Sequence, residues 1–334
     1  MTLSRRAFLA GAAVSAIPLA VPVPAGAQKP VSAEEILRLF VGLPGDVAVK
    51  IVAPPSRRER GLLVESNAST RLFVGSAFKT FVLCEALRQA DTPDVVQTIS
   101  QRQLALDASV WSVDSATFNP PHLTGLVSER TALEAMILHS DNTGTDMSIK
   151  LVGPDHVRGF IASAGLTNTL VPDSTRVFFG YLLGAPDYQT FTWDDLVAAG
   201  EADAPIVNSP LNTVQTMASS ADDLVSYYAR ALQGEFFQHR ETLNEFRRIL
   251  ALADAIWLVP LPLGVSAFVK GGSIDVPGFH AVCVPGGMFF DGRWVYFCLT
   301  LNWYATAETD PNTVTAFAAA ASEALELVKD ALSD

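Results

Sequence analysis

Ser76-Ala77-Phe78-Lys79 places a serine and a lysine three residues apart, where a predicted strand gives way to a helical pattern running from Ser76 to Arg88. Three residues is nearly one helical turn, so the hydroxyl and the ammonium project to the same face. A serine hydroxyl is a poor nucleophile at neutral pH. A neighbouring lysine can take its proton when burial and positive neighbours lower the lysine's pKa. A surface lysine on an ordinary helix gives the same pattern, so the surroundings decide the reading.

Working outward, Val47 to Ala53 and Gly61 to Glu65 read as two short strands around a Pro-Pro-Ser-Arg-Arg connection. Before them, Ser32-Ala33-Glu34-Glu35 is a capping box that opens an amphipathic helix through about Phe40. After the motif, Thr131 to Leu138, Thr145 to Leu151, Asp155 to Gly165 and Ser220 to Leu232 read as helices, and one more follows Gln238. Strands return at Val265 to Val269, His280 to Val284 and Trp294 to Trp303. Asp310-Pro311-Asn312-Thr313 then starts an Ala-rich helix to about Leu332. A sheet whose first strands are N-terminal and whose last are C-terminal must close around the helical stretch between them. The expected class is therefore α+β: an antiparallel sheet flanked by helices, with an all-helical lobe inserted. The α/β lobe takes in about residues 28–75 and 245–334 and the helical lobe about 76–244, as one domain over 28–334 with a cleft between the lobes.

Two more short motifs stand in this frame. Ser140-Asp141-Asn142 follows one helical run and opens another, so it reads as a helix cap or as a proton relay with an amide beside it. Lys270-Gly271-Gly272-Ser273 ends an apolar strand. A lysine there supplies positive charge and the glycines admit close approach of substrate; the plain alternative is a strand running into a Gly turn.

With all three motifs in this order, the chain resembles class A serine β-lactamases and the related penicillin-recognising enzymes, whose signatures are Ser-x-x-Lys, Ser-Asp-Asn and Lys-Thr/Ser-Gly. The likeness covers most of residues 32 to 334. It includes the strands from Ile51 to Ala77, the segment Phe118-Asn119-Pro120 to Asn142, the Val152-Gly153-Pro154 turn and the strands from Lys270 to Trp303. The resemblance implies a β-lactamase/transpeptidase-like fold and a covalent acyl-Ser76 intermediate. It makes Ser76, Lys79, Ser140 and Lys270 catalytic, with Lys79 the acylation base or its partner. The amides of Ser76 and Ser273 would form the oxyanion hole beside Gly272. Ser140 with Lys270 would pass a proton to the leaving nitrogen, and Lys270 would attract a substrate carboxylate. Asn142 would hold the substrate's side-chain amide, and Phe118 would stand as a gatekeeping aromatic. The implied substrate is a β-lactam or D-alanyl peptide-like small molecule.

Departures from the family pattern limit that transfer. No Glu lies between Glu134 and Glu201, where class A enzymes carry the base that activates the deacylating water. The corresponding segment reads Val171-Pro172-Asp173-Ser174-Thr175-Arg176-Val177-Phe178-Phe179. Asp173 is its sole carboxylate and reads as a turn or cap residue, while a gapless count from Gly165 favours Thr175 as the Glu position. Gly271 replaces the hydroxyl residue after the lysine, and Phe279 and His280 stand where many relatives have an Arg. Residues 184–211 form an acidic, Pro-bearing insertion that either covers the cleft or is surface. Three functions stay open: a β-lactam hydrolase, a D-alanyl peptidase or transferase, and a protein that traps acyl groups without turnover.

Composition narrows the partners. Net charge is −12, which disfavours nucleic acid and anionic membrane surfaces. Ser4-Arg5-Arg6-Ala7-Phe8-Leu9, the apolar stretch from Ala7 to Val23 and Ala25-Gly26-Ala27 read as a twin-arginine signal peptide over residues 1–27. Gly11, Pro18 and Pro22 interrupt that stretch, which falls short of the ~20 apolar residues of a membrane span. A periplasmic monomer, not inserted in the membrane after cleavage, is expected. Cys84, Cys283 and Cys298 read as core residues, with Cys283 facing Thr300 if Asp291-Gly292 forms a two-residue turn. No Cys/His pattern suggests a metal, and no cofactor is expected. Gly-x-Ser-x-Gly is absent, which argues against a Ser-His-Asp hydrolase.

Overall fold

Both ends of the chain supply one antiparallel sheet, ordered Leu62–Ser66, Asp46–Ala53, Arg293–Trp303, Phe279–Phe290, with Ser266–Val269 and Gly272–Val276 along the last edge. The structure is a computed structural model and describes residues 31–55 and 60–333. The signal peptide read in residues 1–27 lies outside the described residues. The α+β class holds: helices flank the sheet, and a run of helices separates its N-terminal strands from its C-terminal ones.

Local chemistry explains the register. Asp291 and Gly292 sit at φ 48° and 78°, the doubly left-handed turn whose twist suits a hairpin, and Phe290 pairs with Arg293 across it. Cys283 therefore faces Thr300, whose hydroxyl donates to the sulfur at 3.0 Å, and all three cysteines are buried and free. Phe279–Phe290 is buried along nearly its whole length because both faces of the sheet are covered, so it reads as an apolar run without alternation. The helix Pro311–Leu332, capped by Asp310, buries Phe317, Ala321, Leu325 and Val328 in the same core. Phe317 meets Phe40 edge-on, with ring centroids 6.4 Å apart.

One expectation changes here. The backbone after Lys270 is not a turn: Gly272–Val276 continues along the central strand in the same register, Val269 facing Gly286 and Gly272 facing Cys283. The interruption at Lys270 has its cause across the ladder. The Lys270 amide donates to the Pro285 carbonyl at 3.4 Å, and proline has no N–H to return.

Lys79–Gln89 is the axis of the helical region. Every residue from Lys79 to Leu87 is buried, so the helix lacks a polar face. The insertion at 184–211 is structured too. Trp193–Glu201 is a helix with a full capping box from Thr192 and Asp195, and Trp193 meets Trp111 edge-on at 5.9 Å. The Val207 and Asn208 amides donate to the Leu182 carbonyl. The insertion thus packs on the helix Thr175–Leu182, an element absent from the sequence reading.

Candidate active site

Three elements converge on Ser76. The strand leading to it is pinned by Asn302, whose side-chain oxygen accepts from the Phe73 amide at 2.8 Å and whose Nδ2 donates to the Phe73 carbonyl at 2.9 Å. A short 3-10 turn, Gly75–Phe78, then delivers Ser76 half-buried at the start of the buried helix. Gly75 has φ +53°, and a Cβ there would lie 2.8 Å from the Ser273 nitrogen. A Cβ on Gly272 would lie 2.1 Å from the Val74 carbonyl oxygen and 2.5 Å from the Ser76 nitrogen. Two glycines therefore let the Ser76 turn and the strand Gly272–Val276 touch backbone to backbone.

That contact decides where the amides point. Lys270 turns its amide toward the central strand, so in an antiparallel ladder residues 271, 273 and 275 turn theirs the other way. Gly272–Val276 has a free edge, and the Ser273 amide on it sits beside the Ser76 turn.

Behind the serine, one hydroxyl lies between two buried lysines. Lys79 Nζ donates to the Ser140 carbonyl at 2.5 Å and to Asn142 Oδ1 at 2.7 Å, and lies 3.2 Å from Ser140 Oγ. Lys270 Nζ donates to Ser140 Oγ at 3.1 Å and to the Gly271 carbonyl at 2.8 Å. Ser140 adopts φ 55°, a left-handed conformation that presents both its carbonyl and its hydroxyl to Lys79. Burial and then the Lys270 charge hold the Lys79 ammonium well below the usual lysine range, against the opposing pull of Asp141, Asp146 and Asp114. Burial pushes Lys270 down to about 8, with Asp254 opposing. At neutral pH Lys270 is thus a cation, and burial with the Lys270 charge favours loss of the Lys79 proton.

Asp141 builds this corner without taking part in it. Fully buried, it caps the helix Asn142–Val152 by accepting from the Gly144 amide at 2.8 Å, and it accepts from the Thr117 and Phe118 amides at 2.9 and 3.1 Å. Ser140 and Asn142 on either side of it are fixed as a result.

The structure corrects one expected position and shows where the others stand. Phe118 is not a gatekeeper: its side chain is 3 % exposed and packs with Leu106, Val110, Ala132 and Met147 in a small core of its own. His280 is fully buried, stacked on Trp303 and bonded to Asp275 at 2.8 Å, so it supplies no charge for a substrate carboxylate. Asp173 has both oxygens engaged, one by Arg158 and the other by Gln215 Nε2 at 2.6 Å. Thr175, the position favoured by counting, is fully buried and donates to Asp146 Oδ1 at 2.8 Å beside Ser112 Oγ.

Asp146 escaped the sequence reading. Its carboxylate accepts from the Thr175 and Arg176 amides at 2.7 and 3.1 Å, capping the helix Thr175–Leu182 from outside. Burial pushes it up to about 6 against those bonds. The signal was its spacing: it follows Asn142 by four residues and so shares that helix face. Among the described residues, no group of three or more His, Cys, Asp or Glu is arranged to hold a metal ion, and no helix is long and apolar enough to cross a membrane.

Comparison with known proteins extends these observations. The sequence profile of the β-lactamase enzyme family matches residues 33–254, which include Ser76, Lys79, Ser140 and Asn142. The β-lactamase from Sphaerobacter thermophilus superposes with a TM-score of 0.66 at 17% identity, covering 91% of this chain and 98% of its own. For the class A β-lactamase from Bacteroides cellulosilyticus the TM-score is 0.65 at 18% identity, with 90% and 97% covered. PBP-A gives a TM-score of 0.63 at 16% identity, with 89% and 96% covered. No curated protein matches the chain in sequence. At these identities the superpositions speak for a shared β-lactamase/transpeptidase-like fold.

Proposed function

The chain belongs to the β-lactamase enzyme family, and from that premise we propose that it is a serine hydrolase whose Ser76 is acylated by β-lactams or similar strained amides. The observation that carries the reading is Ser140 Oγ, held 3.2 Å from one buried lysine and 3.1 Å from another. In the forward step Ser76 Oγ attacks the amide carbonyl and its proton passes to neutral Lys79. The Ser76 and Ser273 amides receive the developing oxyanion. Ser140 then gives its proton to the leaving nitrogen and is reprotonated by Lys270, so the C–N bond breaks as the ester forms.

In this reading residues 1–27 are a twin-arginine leader, and the mature enzyme is a single catalytic domain over 28–334 in the periplasm. The test is intact-protein mass spectrometry after mixing with a penicillin and with a chromogenic cephalosporin. A mass gain equal to the substrate, mapped to the Ser76 peptide, supports the reading; an unmodified protein with no hydrolysis removes it. A second reading, a D-alanyl peptidase or transferase, is favoured by the segment Val171 to Phe179, which lacks the Glu that hydrolysis of the acyl-enzyme uses in class A relatives. A D-alanyl ester turned over faster than any β-lactam would select it.

Two expected results arise from this geometry. Gly272→Ala drives a methyl into the Ser76 turn and separates the two oxyanion amides, so acylation should slow on the order of 10²-fold. Stopped-flow acylation alongside a melting curve checks this, and an unchanged acylation rate would mean that the contact is dispensable. Lys270 is a cation below about pH 8 and loses its charge as pH rises through that value. Acylation by anionic penicillins should therefore fall on the alkaline side near pH 8, and more steeply than acylation by a neutral ester, which loses only the proton-transfer role of Lys270. Lys270→Ala should likewise cost an anionic substrate roughly tenfold more than a neutral one, about the loss of one charged hydrogen bond. Equal losses on both would assign Lys270 to proton transfer alone.

A further inference from the structure

Asp114 is an exposed carboxylate on the loop laid over the start of the helix Asn142–Val152. The residues around it fix its place. The Ser112 amide donates to Thr143 Oγ1 at 3.0 Å, and the Thr143 amide donates to Ser115 Oγ at 2.8 Å. Two residues on, the Thr117 and Phe118 amides donate to Asp141. Asp114 thus stands between two anchors on Thr143, next to Asn142. Its backbone is left-handed, φ 55°, a conformation that aspartate tolerates better than most residues.

Among the described residues no hydrogen bond or ion pair engages the Asp114 carboxylate. The charge of Lys79 acts on it across the site. Yet Lys79 is itself held toward its neutral form, so it is a poor permanent counter-ion for Asp114. A net charge of −12 adds a field that draws cations.

We propose that Asp114 selects substrates whose acyl side chain carries a protonated amine on the carbon next to the amide, by pairing with that amine at the mouth of the cleft. The proposal rests on the acylation of Ser76 argued above, with Asn142 as the partner of the acyl amide. The loop that carries Asp114 is bonded to Asp141 and Thr143 on either side of Asn142, so a substituent one carbon from an amide held by Asn142 would approach it. A cation there supplies the compensation that the protein does not.

Benzylpenicillin and ampicillin differ by that amine alone, which makes them the probe pair. Acylation rates of the mature protein and of Asp114→Asn should be measured with both at pH 6.5, where the amine is protonated. The wild type should favour ampicillin, and the substitution should lower the ampicillin-to-benzylpenicillin ratio by up to about fivefold, the upper range for an exposed pair. Asparagine keeps the shape and the left-handed preference of the residue. A second measurement needs no variant: in the wild type the ratio should fall as pH rises through the amine's titration, near about 8 for an α-amino group. Titration of the enzyme's own groups cancels in the ratio. A ratio unmoved by both the substitution and the pH overturns the proposal while leaving acylation standing. Absence of an adduct with either penicillin overturns the proposed function and this selectivity with it.

Discussion

Ser76→Ala is expected to abolish covalent labelling by β-lactams and by fluorophosphonates, and to lower turnover by a factor on the order of 10⁶, as loss of a nucleophile does in serine hydrolases. The substitution removes one oxygen and nothing else that the site uses. The Ser76 amide, the proposed oxyanion donor, belongs to the backbone and survives, as does its contact with Gly272. Ser140, Lys79, Lys270 and Asn142 hold one another by bonds that do not involve Ser76. The variant should therefore fold and still bind penicillins reversibly. Retained binding with no adduct is the result expected from intact mass spectrometry and a thermal-shift titration. Labelling that persists in Ser76→Ala would place the nucleophile on another residue.

Short-range chemistry made most of the fold legible in the sequence. Asp291-Gly292 set the hairpin and with it the Cys283–Thr300 register, and Ser32, Ser220 and Asp310 mark helix starts where their side chains accept backbone amides. The Ser-x-x-Lys, Ser-Asp-Asn and Lys-Gly-Gly-Ser segments are brought together as three elements that touch. What stayed hidden depends on contacts distant in sequence. The strand after Lys270 runs on because Cys283 and its neighbours pair with it, and it breaks only where Pro285 lies opposite. Phe118 is drawn inward because Asp141 grips its amide and leaves the ring facing Leu106 and Met147. Thr175 opens a helix because Asp146 and Ser174 accept its first amides, and those acceptors come from two separate segments.

Penicillin turnover is expected to show a burst of about one equivalent of product followed by a slow phase, because the acyl-enzyme forms readily and hydrolyses poorly. Every group that the proposed acylation asks for is brought together: Ser76, two buried lysines, a serine between them and two backbone amides. Hydrolysis of the ester needs in addition a base that holds a water against the carbonyl. In the segment that carries this base in class A relatives, Asp173 is bound on both oxygens by Arg158 and Gln215, and Thr175 spends its hydroxyl on Asp146. Asp146 in turn has its oxygens committed to the amides of Thr175 and Arg176. Loss of a positioned general base costs about 10²–10⁴-fold in its step, enough to make deacylation limiting. Placing a glutamate at Thr175 does not offer a remedy. The side chain there is fully buried, so the larger carboxylate would crowd Ser112 and face the Asp146 charge. Rapid-quench mass spectrometry should find nearly all of the protein acylated in the slow phase. Fast, burst-free turnover with mostly unmodified protein would instead mean that Lys79 or Asp146 serves as the water's base, and that the bonds now holding Asp146 open during the cycle.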